Sequence, residues 1–230
     1  MSARRAILLA DGDAPTRAGL DAAWPGWDDG IDRVVAADGG ARLAGALGLR
    51  IDEWVGDGDS LGAEGIEALR ASGVKVEVAA ADKDETDAEL GLLAAIWAGA
   101  RDVTILGALG GPRFDHALAN VHLLAHPATL GKTVRLLDAS TRVRLLAALA
   151  AGGSEAALDL GGRIGDVVSL IPIGDVEGVT TVGLRYPLED EWLLAGPARG
   201  LSNVRDARTA EVRIRHGRLL VVEVFATLRR

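Results

Sequence analysis

The chain has 230 residues, is 49% hydrophobic and carries 25 Lys and Arg against 33 Asp and Glu, a net charge of −8. That length allows one large domain or two small ones, and with only two Phe and one Tyr the core must be aliphatic. An acidic balance without a basic tract argues against a nucleic-acid partner, and the lack of Cys excludes disulfides, thiolate metal sites and cysteine nucleophiles. After the basic Met1–Arg5 start, the apolar run Ala6–Ala10 is too short for a signal segment or a membrane span. These features predict a soluble, cytoplasmic protein with no membrane partner.

Strand-like and helix-like runs alternate from Ala6 to about Asp138. The predicted strands are Ala6–Ala10, Arg33–Ala37, Ile51–Val55, Val74–Ala81, Asp102–Ala108 and Thr133–Leu137; the predicted helices between them are Pro15–Trp24, Ala41–Leu49, Leu61–Ser72, Glu85–Ala100 and Phe114–Leu130. Within Glu85–Ala100, Leu90, Leu93, Ala94 and Trp97 fall on one helical face. Such alternation implies a mostly parallel sheet covered on both sides. Near Ser140 the pattern changes to short apolar runs: Val143–Leu149, Ala156–Leu160, Asp166–Ile173, Gly178–Val182, Glu211–Arg215 and Leu219–Phe225. His216-Gly217 reads as a hairpin turn, and the Ala/Gly-rich stretch 147–157 either as a surface loop or as a compositional bias only. The prediction is an α/β domain over 1–139 followed by a small all-β sandwich over 140–230.

Most of the first-half strands end in acid. Asp11-Gly12-Asp13, Asp38-Gly39-Gly40, Gly56-Asp57-Gly58-Asp59-Ser60 and Asp82-Lys83-Asp84-Glu85-Thr86-Asp87 follow the first four, and Gly110-Gly111-Pro112-Arg113-Phe114-Asp115-His116 follows the fifth. Open α/β sheets bind ligands outside the carboxyl ends of their strands. Carboxylates gathered there repel each other unless a cation joins them, and hard cations such as Mg²⁺ take oxygen ligands and bring phosphates. A metal-dependent phosphate enzyme follows from the residues alone.

The clusters differ in weight. In an extended segment Asp57 and Asp59 lie on one side, about 7 Å apart, where they can share one Mg²⁺; the same residues also make good turn sequence, and Ser60 can cap the following helix. Asp84 and Asp87 read as a helix N-cap and a first-turn acid, but capping does not require Asp82 and Thr86, and a helix N-terminus also suits phosphate oxygens. Arg113 in a Gly-rich turn can clamp phosphate bidentately, with His116 and Asn120 one helical turn apart. Asp38-Gly39-Gly40 and Asp11-Gly12-Asp13 alone read as strand-to-helix turns. His122, His126 and His216 make no ligand spacing with each other, and Trp24, Trp27 and Trp54 read as core.

Taken in order, these pieces resemble the thiamine pyrophosphokinase (thiamine diphosphokinase) family. The likeness rests on Ala37–Ala41, Gly56–Ser60, Asp82–Asp87 and the GALGGPRFDHALAN stretch Gly107–Asn120. In the second half it rests on Gly183-Leu184-Arg185-Tyr186-Pro187-Leu188 and Arg199-Gly200-Leu201-Ser202-Asn203. The chain departs from the family pattern at Gly58, where an aromatic residue is common, at Pro112, an extra residue before Arg113, and at Val204, where many members have Glu.

The resemblance implies transfer of a pyrophosphoryl group from ATP to the hydroxyl of thiamine, with AMP released, in a homodimer whose active sites are shared between subunits. It implies metal carboxylates at Asp57, Asp59 and Asp87, with Mg²⁺ as the metal. Asp57, Asp59, Asp87, Arg113 and Asp115 are the candidate catalytic set. Asp38, Gly39, Gly40, Lys83, Asp84, Thr86, Arg113, His116 and Asn120 are the candidate ATP contacts, and Ser202 and Asn203 the thiamine contacts. Whether the hydroxyl needs a base, and whether Asp38, Asp84 or Asp115 would be that base, stays open. Two other readings fit part of the pattern: a different Mg²⁺-dependent nucleotide pyrophosphatase or kinase, and a non-catalytic thiamine-binding sensor.

Overall fold

The structure is a computed structural model that describes residues 4–149 and 155–226. It divides into two compact units, Met1–Ala139 and Ser140–Arg230. Among the described residues no helix is long and apolar enough to cross a membrane.

In the first unit the strands are β1 (Arg5–Leu9), β2 (Ile31–Ala37), β3 (Glu53–Gly56), β4 (Lys75–Val78), β5 (Asp102–Leu106) and β6 (Thr133–Leu137). They lie in the order β6-β5-β1-β2-β3-β4, and each neighbouring pair is parallel. The aliphatic runs are why the sheet is buried: Ile7, Leu8, Leu9, Val35, Ala36, Val103, Ile105 and Leu136 are all in the core. Trp24, Trp27 and Trp54 are buried too. The chain adds β2, β3 and β4 on one side of β1, then returns to add β5 and β6 on the other. That reversal opens a crevice beyond the carboxyl ends of β1 and β5, where Gly12 N–H donates to Gly107 O at 2.7 Å.

The helices are α1 (Arg17–Ala23), α2 (Ala41–Leu47), α3 (Gly62–Ala71), α4 (Asp87–Trp97) and α5 (Phe114–His122). The face α4 buries is not the one its large apolar residues predict. Ala88, Gly91, Leu92 and Ala95 are buried, whereas Trp97 is 75% exposed. Small residues win because the helix lies close on the sheet: a Cβ at Gly91 would come within 2.5 Å of Leu8 Cδ1. The predicted helix Phe114–Leu130 also stops early. After His122 the chain makes 3-10 turns at Leu123–Ala125 and Pro127–Thr129; Pro127 has no N–H to continue an α-helix.

The second unit contains β7 (Thr141–Ala148), β8 (Ala156–Asp159), β9 (Val167–Pro172), β10 (Val176–Val182), β11 (Glu191–Leu193), β12 (Asn203–Val204), β13 (Glu211–Ile214) and β14 (Gly217–Val224). They form two layers, β12-β9-β14-β7 and β11-β10-β13-β8, with antiparallel pairing throughout. Alternate residues from both layers, among them Leu146, Val168, Leu170, Val179, Val212, Ile214, Leu219 and Val221, make one core. This is a β-sandwich, and its short strands β11 and β12 have no counterpart among the predicted runs. His216-Gly217 is not a hairpin: β13 pairs with β10 and β8, while β14 pairs with β7 and β9, so the turn carries the chain from one layer to the other. The middle of the predicted loop 147–157, residues 150–154, lies outside the described residues.

Candidate active site

The loops after β1 to β5 converge on a cleft of about 340 Å³, whose lining includes Asp11, Asp38, Asp59, Lys83, Thr86, Asp87, Arg113, His116 and Asn120. Most of the predicted ATP contacts therefore border one space. Gly39 and Gly40 form the turn beneath it, in the 3-10 segment Asp38–Gly40. Asp84 and Asp115 do not border it, and both are exposed.

Asp57 does not border the cleft either, but Asp38 and Asp87 do, and the three each offer a carboxylate oxygen within 4.8 Å of the others. This trio shares Asp57 and Asp87 with the set the sequence proposes for metal but holds Asp38 where the sequence places Asp59. The reason is local. Gly58 has φ 85°, so the segment turns instead of running extended. Asp59 N–H then donates to Asp57 Oδ1 at 3.1 Å, and the Asp59 carboxylate accepts from Ser60 Oγ at 3.2 Å. Only glycine takes that backbone conformation without strain. Ser60 does not cap α3, which has no side-chain cap.

Asp38 is the most constrained member. Its residue is 6% exposed, it has φ 41°, and its backbone carbonyl accepts from Trp54 Nε1 at 2.9 Å. Oδ1 is buried with no hydrogen-bond partner. Burial pushes its pKa up, the nearby Asp59 and Asp87 charges add to this, and contacts from Ser60 and the Gly39 N–H pull the other way. A buried carboxylate that lacks a partner is costly, and a left-handed aspartate adds backbone strain. An oxygen-seeking cation at the trio relieves both the unmet acceptor and the repulsion, so these donors suit a hard divalent ion.

Asp87 reaches the trio as the first residue of α4, whose cap is Thr86: its side chain accepts from Glu89 N–H at 3.1 Å. The cap is thus Thr86, not Asp84. Lys83 Nζ stands 3.1 Å from Asp87 Oδ1 and 3.8 Å from Asp57 Oδ2. Arg42 reaches the cleft from α2, 3.8 Å from Asp11 and donating to Ser60 O. Sequence reasoning gave neither Arg42 nor Asp11 a role; Asp11 following a buried strand was the available signal.

Arg113 opens α5 and forks onto Asp115, with Nε to Oδ1 at 2.9 Å and NH2 to Oδ2 at 2.6 Å. The guanidinium bonds hold the Asp115 carboxyl down to about 2, and the same bonds raise Arg113. Asn120 donates from Nδ2 to Ala108 O at 3.2 Å, tying α5 to the loop after β5.

In the second unit a cavity of about 200 Å³ is lined by Leu170, Tyr186, Leu188, Arg199, Gly200, Leu201 and Asn203. Asn203 Oδ1 accepts from Tyr186 N–H at 3.0 Å and Val204 N–H at 2.9 Å, and its Nδ2 donates to Tyr186 O at 2.6 Å. Both acceptor positions are thus used, and one N–H remains. Ser202 has φ 58°, is exposed, and its N–H donates to Ser169 Oγ at 3.0 Å.

Comparison with known proteins follows the same division. The family model described as thiamin pyrophosphokinase, catalytic domain, matches residues 28–136, and that described as thiamin pyrophosphokinase, vitamin B1 binding domain, matches residues 157–219. A thiamine pyrophosphokinase of Bacillus subtilis (strain 168) is 27% identical over 179 residues, covering 77% of this chain and 80% of the relative. The crystal structure of thiamine pyrophosphokinase from Bacillus subtilis superposes with a TM-score of 0.79 at 23% identity, covering 96% of this chain and 99% of that one. One from Geobacillus thermodenitrificans gives 0.75 at 26%, covering 96% and 97%. Yeast thiamin pyrophosphokinase gives 0.74 at 14%, covering 99% and 88%, a likeness of fold alone.

Proposed function

The chain belongs to the thiamine pyrophosphokinase family, whose thiamine diphosphokinase activity it carries, and we propose that the carboxylate cleft of its first unit is where ATP and a divalent ion meet. The reaction moves a pyrophosphoryl group from ATP to the hydroxyl of thiamine, giving thiamine diphosphate and AMP. The observation that carries the reading is the Asp38–Asp57–Asp87 trio with its buried, unbonded oxygen. Asp38, Asp57 and Asp87 would hold Mg²⁺, which would supply charge neutralisation for the phosphates. Asp59 borders the cleft too and would add negative charge beside that ion.

The chain's own residues do the positioning. Lys83 and Arg113 supply positive charge for the phosphates, Arg113 by exchanging its Asp115 fork for a phosphate fork of the same geometry. Thr86 and the α4 N-terminus present a hydroxyl and a positive dipole end. His116 and Asn120 border the cleft from α5, and Gly39 and Gly40 keep the turn below Asp38 slim. In the second unit Asn203 shapes the loop beside the cavity and offers one N–H to the thiamine ring, with Ser202 next to it. The reading includes a homodimer in the cytoplasm, with each site shared between subunits; its support is the family likeness and the placement of the two candidate sites in different units.

Purified protein with ATP, Mg²⁺ and thiamine, its products resolved, tests the activity. Equal amounts of AMP and thiamine diphosphate are expected. ADP as product identifies a simple kinase, AMP with free pyrophosphate a pyrophosphatase, and binding without turnover a sensor. Sharing is tested by exchanging subunits between inactive Asp57→Asn protein and an inactive Ser202/Asn203 double variant. Recovered activity supports shared sites, and none after proven exchange places each site within one chain.

A further inference from the structure

The trio holds an internal cation. Lys83 is the fourth residue before Asp87, and its side chain is 14% exposed, the most buried of the three partners in these two ion pairs. Among the described residues, the ion pairs made by Asp57 and Asp87 are those with Lys83. Asp38, the third member of the trio, makes no ion pair with Lys83, and Oδ1 of Asp38 and Oδ1 of Asp87 are both buried without a hydrogen-bond partner. One ammonium thus balances two of three carboxylates, through the same oxygen-bearing groups that would ligate a metal.

We propose that Lys83 is the built-in counter-ion of the trio, competing with the divalent ion for Asp57 and Asp87 and yielding to it when a nucleotide offers the ammonium new phosphate partners. The inference rests on the metal reading above. A lysine suits the task because its compact charge rides on a flexible four-carbon stem, so it can leave one carboxylate pair for a phosphate nearby. Metal arriving alone must displace a cation that has nowhere comparable to go. Metal arriving with a triphosphate meets no such opposition. Metal and nucleotide therefore tighten each other's binding, as linkage requires.

The test is metal binding without turnover. Terbium, a hard oxygen-seeking cation, is followed by luminescence sensitised by Trp54, whose indole N–H donates to the Asp38 carbonyl at 2.9 Å, and Mg²⁺ is measured by its displacement of terbium. Lys83→Met is compared with the unaltered protein, with and without a non-hydrolysable ATP analogue. Removing the competing charge should tighten metal binding without nucleotide by about tenfold or more, the scale of one unit charge a few ångströms away at a partly buried site. The analogue should tighten metal binding in the unaltered protein and have much less effect in Lys83→Met. Equal or weaker metal affinity in Lys83→Met overturns the proposal, with Lys83→Gln as the second variant should Met compromise the fold. Asp57→Asn separates the two levels. If terbium binds it as it binds the unaltered protein, the metal site itself is misplaced and the proposal falls with it; if terbium binding is lost, the Lys83 comparison stands on its own result.

Discussion

The two edges of the first unit's sheet both gather charge, yet they handle it in opposite ways. At the amino edge Glu53 and Asp102 are each flanked by two cations. Glu53, 2% exposed, accepts from Arg33 at 2.9 Å and from Lys75, and Asp102 pairs with Arg135 and with Arg5 at 3.7 Å. At the carboxyl edge two of the three trio carboxylates share one lysine, and a buried oxygen on Asp38 and another on Asp87 have no hydrogen-bond partner. Balanced charge is architecture, while charge left over marks where a ligand completes the structure. Counting acidic residues would not separate the edges; counting their partners does.

Asp57→Asn breaks the contrast most directly. It should keep the fold by circular dichroism and lower turnover by about a thousandfold or more, since a metal ligand contributes several kcal/mol to charge stabilisation. Near-normal rates with Mg²⁺ would return the carboxyl edge to mere surface charge. Arg113→Lys should lower kcat by roughly ten- to a hundredfold, because a point charge cannot reproduce the planar fork on phosphate. Unchanged kcat would leave Arg113 as the partner of Asp115 only. That fork itself is insensitive to ordinary pH. With Asp115 held down to about 2, the carboxylate favours the folded state above its unfolded pKa and loses this as pH falls toward 2, so it sets no limb of a neutral-range pH–rate profile.

Smaller effects sharpen the comparison. Glu53→Gln at the balanced edge should cost about 1–2 kcal/mol of stability, read as a lower denaturant midpoint, with kcat unchanged; an activity loss would blur the two edges. Asp38→Asn should do the reverse. Asn tolerates the left-handed backbone as Asp does, and burial has raised the Asp38 pKa, so ionised Asp38 opposes folding as pH rises through that value. Metal-free Asp38→Asn protein should then be as stable as the original or up to about 1 kcal/mol more so near neutral pH, while turnover collapses. A marked loss of stability would show that Asp38 is paired after all.

Much of this was legible in the chain. Apolar runs punctuated by Gly and Asp give the strand–helix alternation, because a buried parallel strand has to be apolar on both faces. Asp57 is a metal candidate from its spacing with Asp59, and Asp87 from the family resemblance. Asp38 reads as an ordinary turn residue because its burial, unbonded oxygen and left-handed backbone are tertiary facts. The short strands β11 and β12 are invisible for the same reason: Glu191–Leu193 and Asn203–Val204 are too brief to show alternation, and their partners define them. Asn203 looks like a ligand contact by its type, yet most of its amide is already engaged by Tyr186 and Val204. That predicts mixed damage in Asn203→Ala, a lower melting temperature together with a roughly tenfold higher KM for thiamine, from losing about 1–3 kcal/mol per unmet group; an unchanged melting temperature would deny its structural share.

The near contact of Gly91 with Leu8 reaches further than the hydrophobic interior. Asp87 rides on the first turn of the same helix, so the gap between α4 and β1 determines how far its carboxylate extends toward Asp38 and Asp57. Interior packing is in that sense a caliper, its jaws opening on the trio. Mg²⁺ demands oxygens at about 2.0–2.1 Å and Ca²⁺ accepts about 2.3–2.6 Å, a difference smaller than the displacement one added methyl group would ask for where only 2.5 Å separates its position from Leu8 Cδ1. On the metal reading proposed above, choice of ion would be written partly in a glycine whose missing Cβ faces Leu8 and Ala37, and Gly91→Ala should move the ratio of Mg²⁺ to larger-ion activation before it lowers the yield of folded protein.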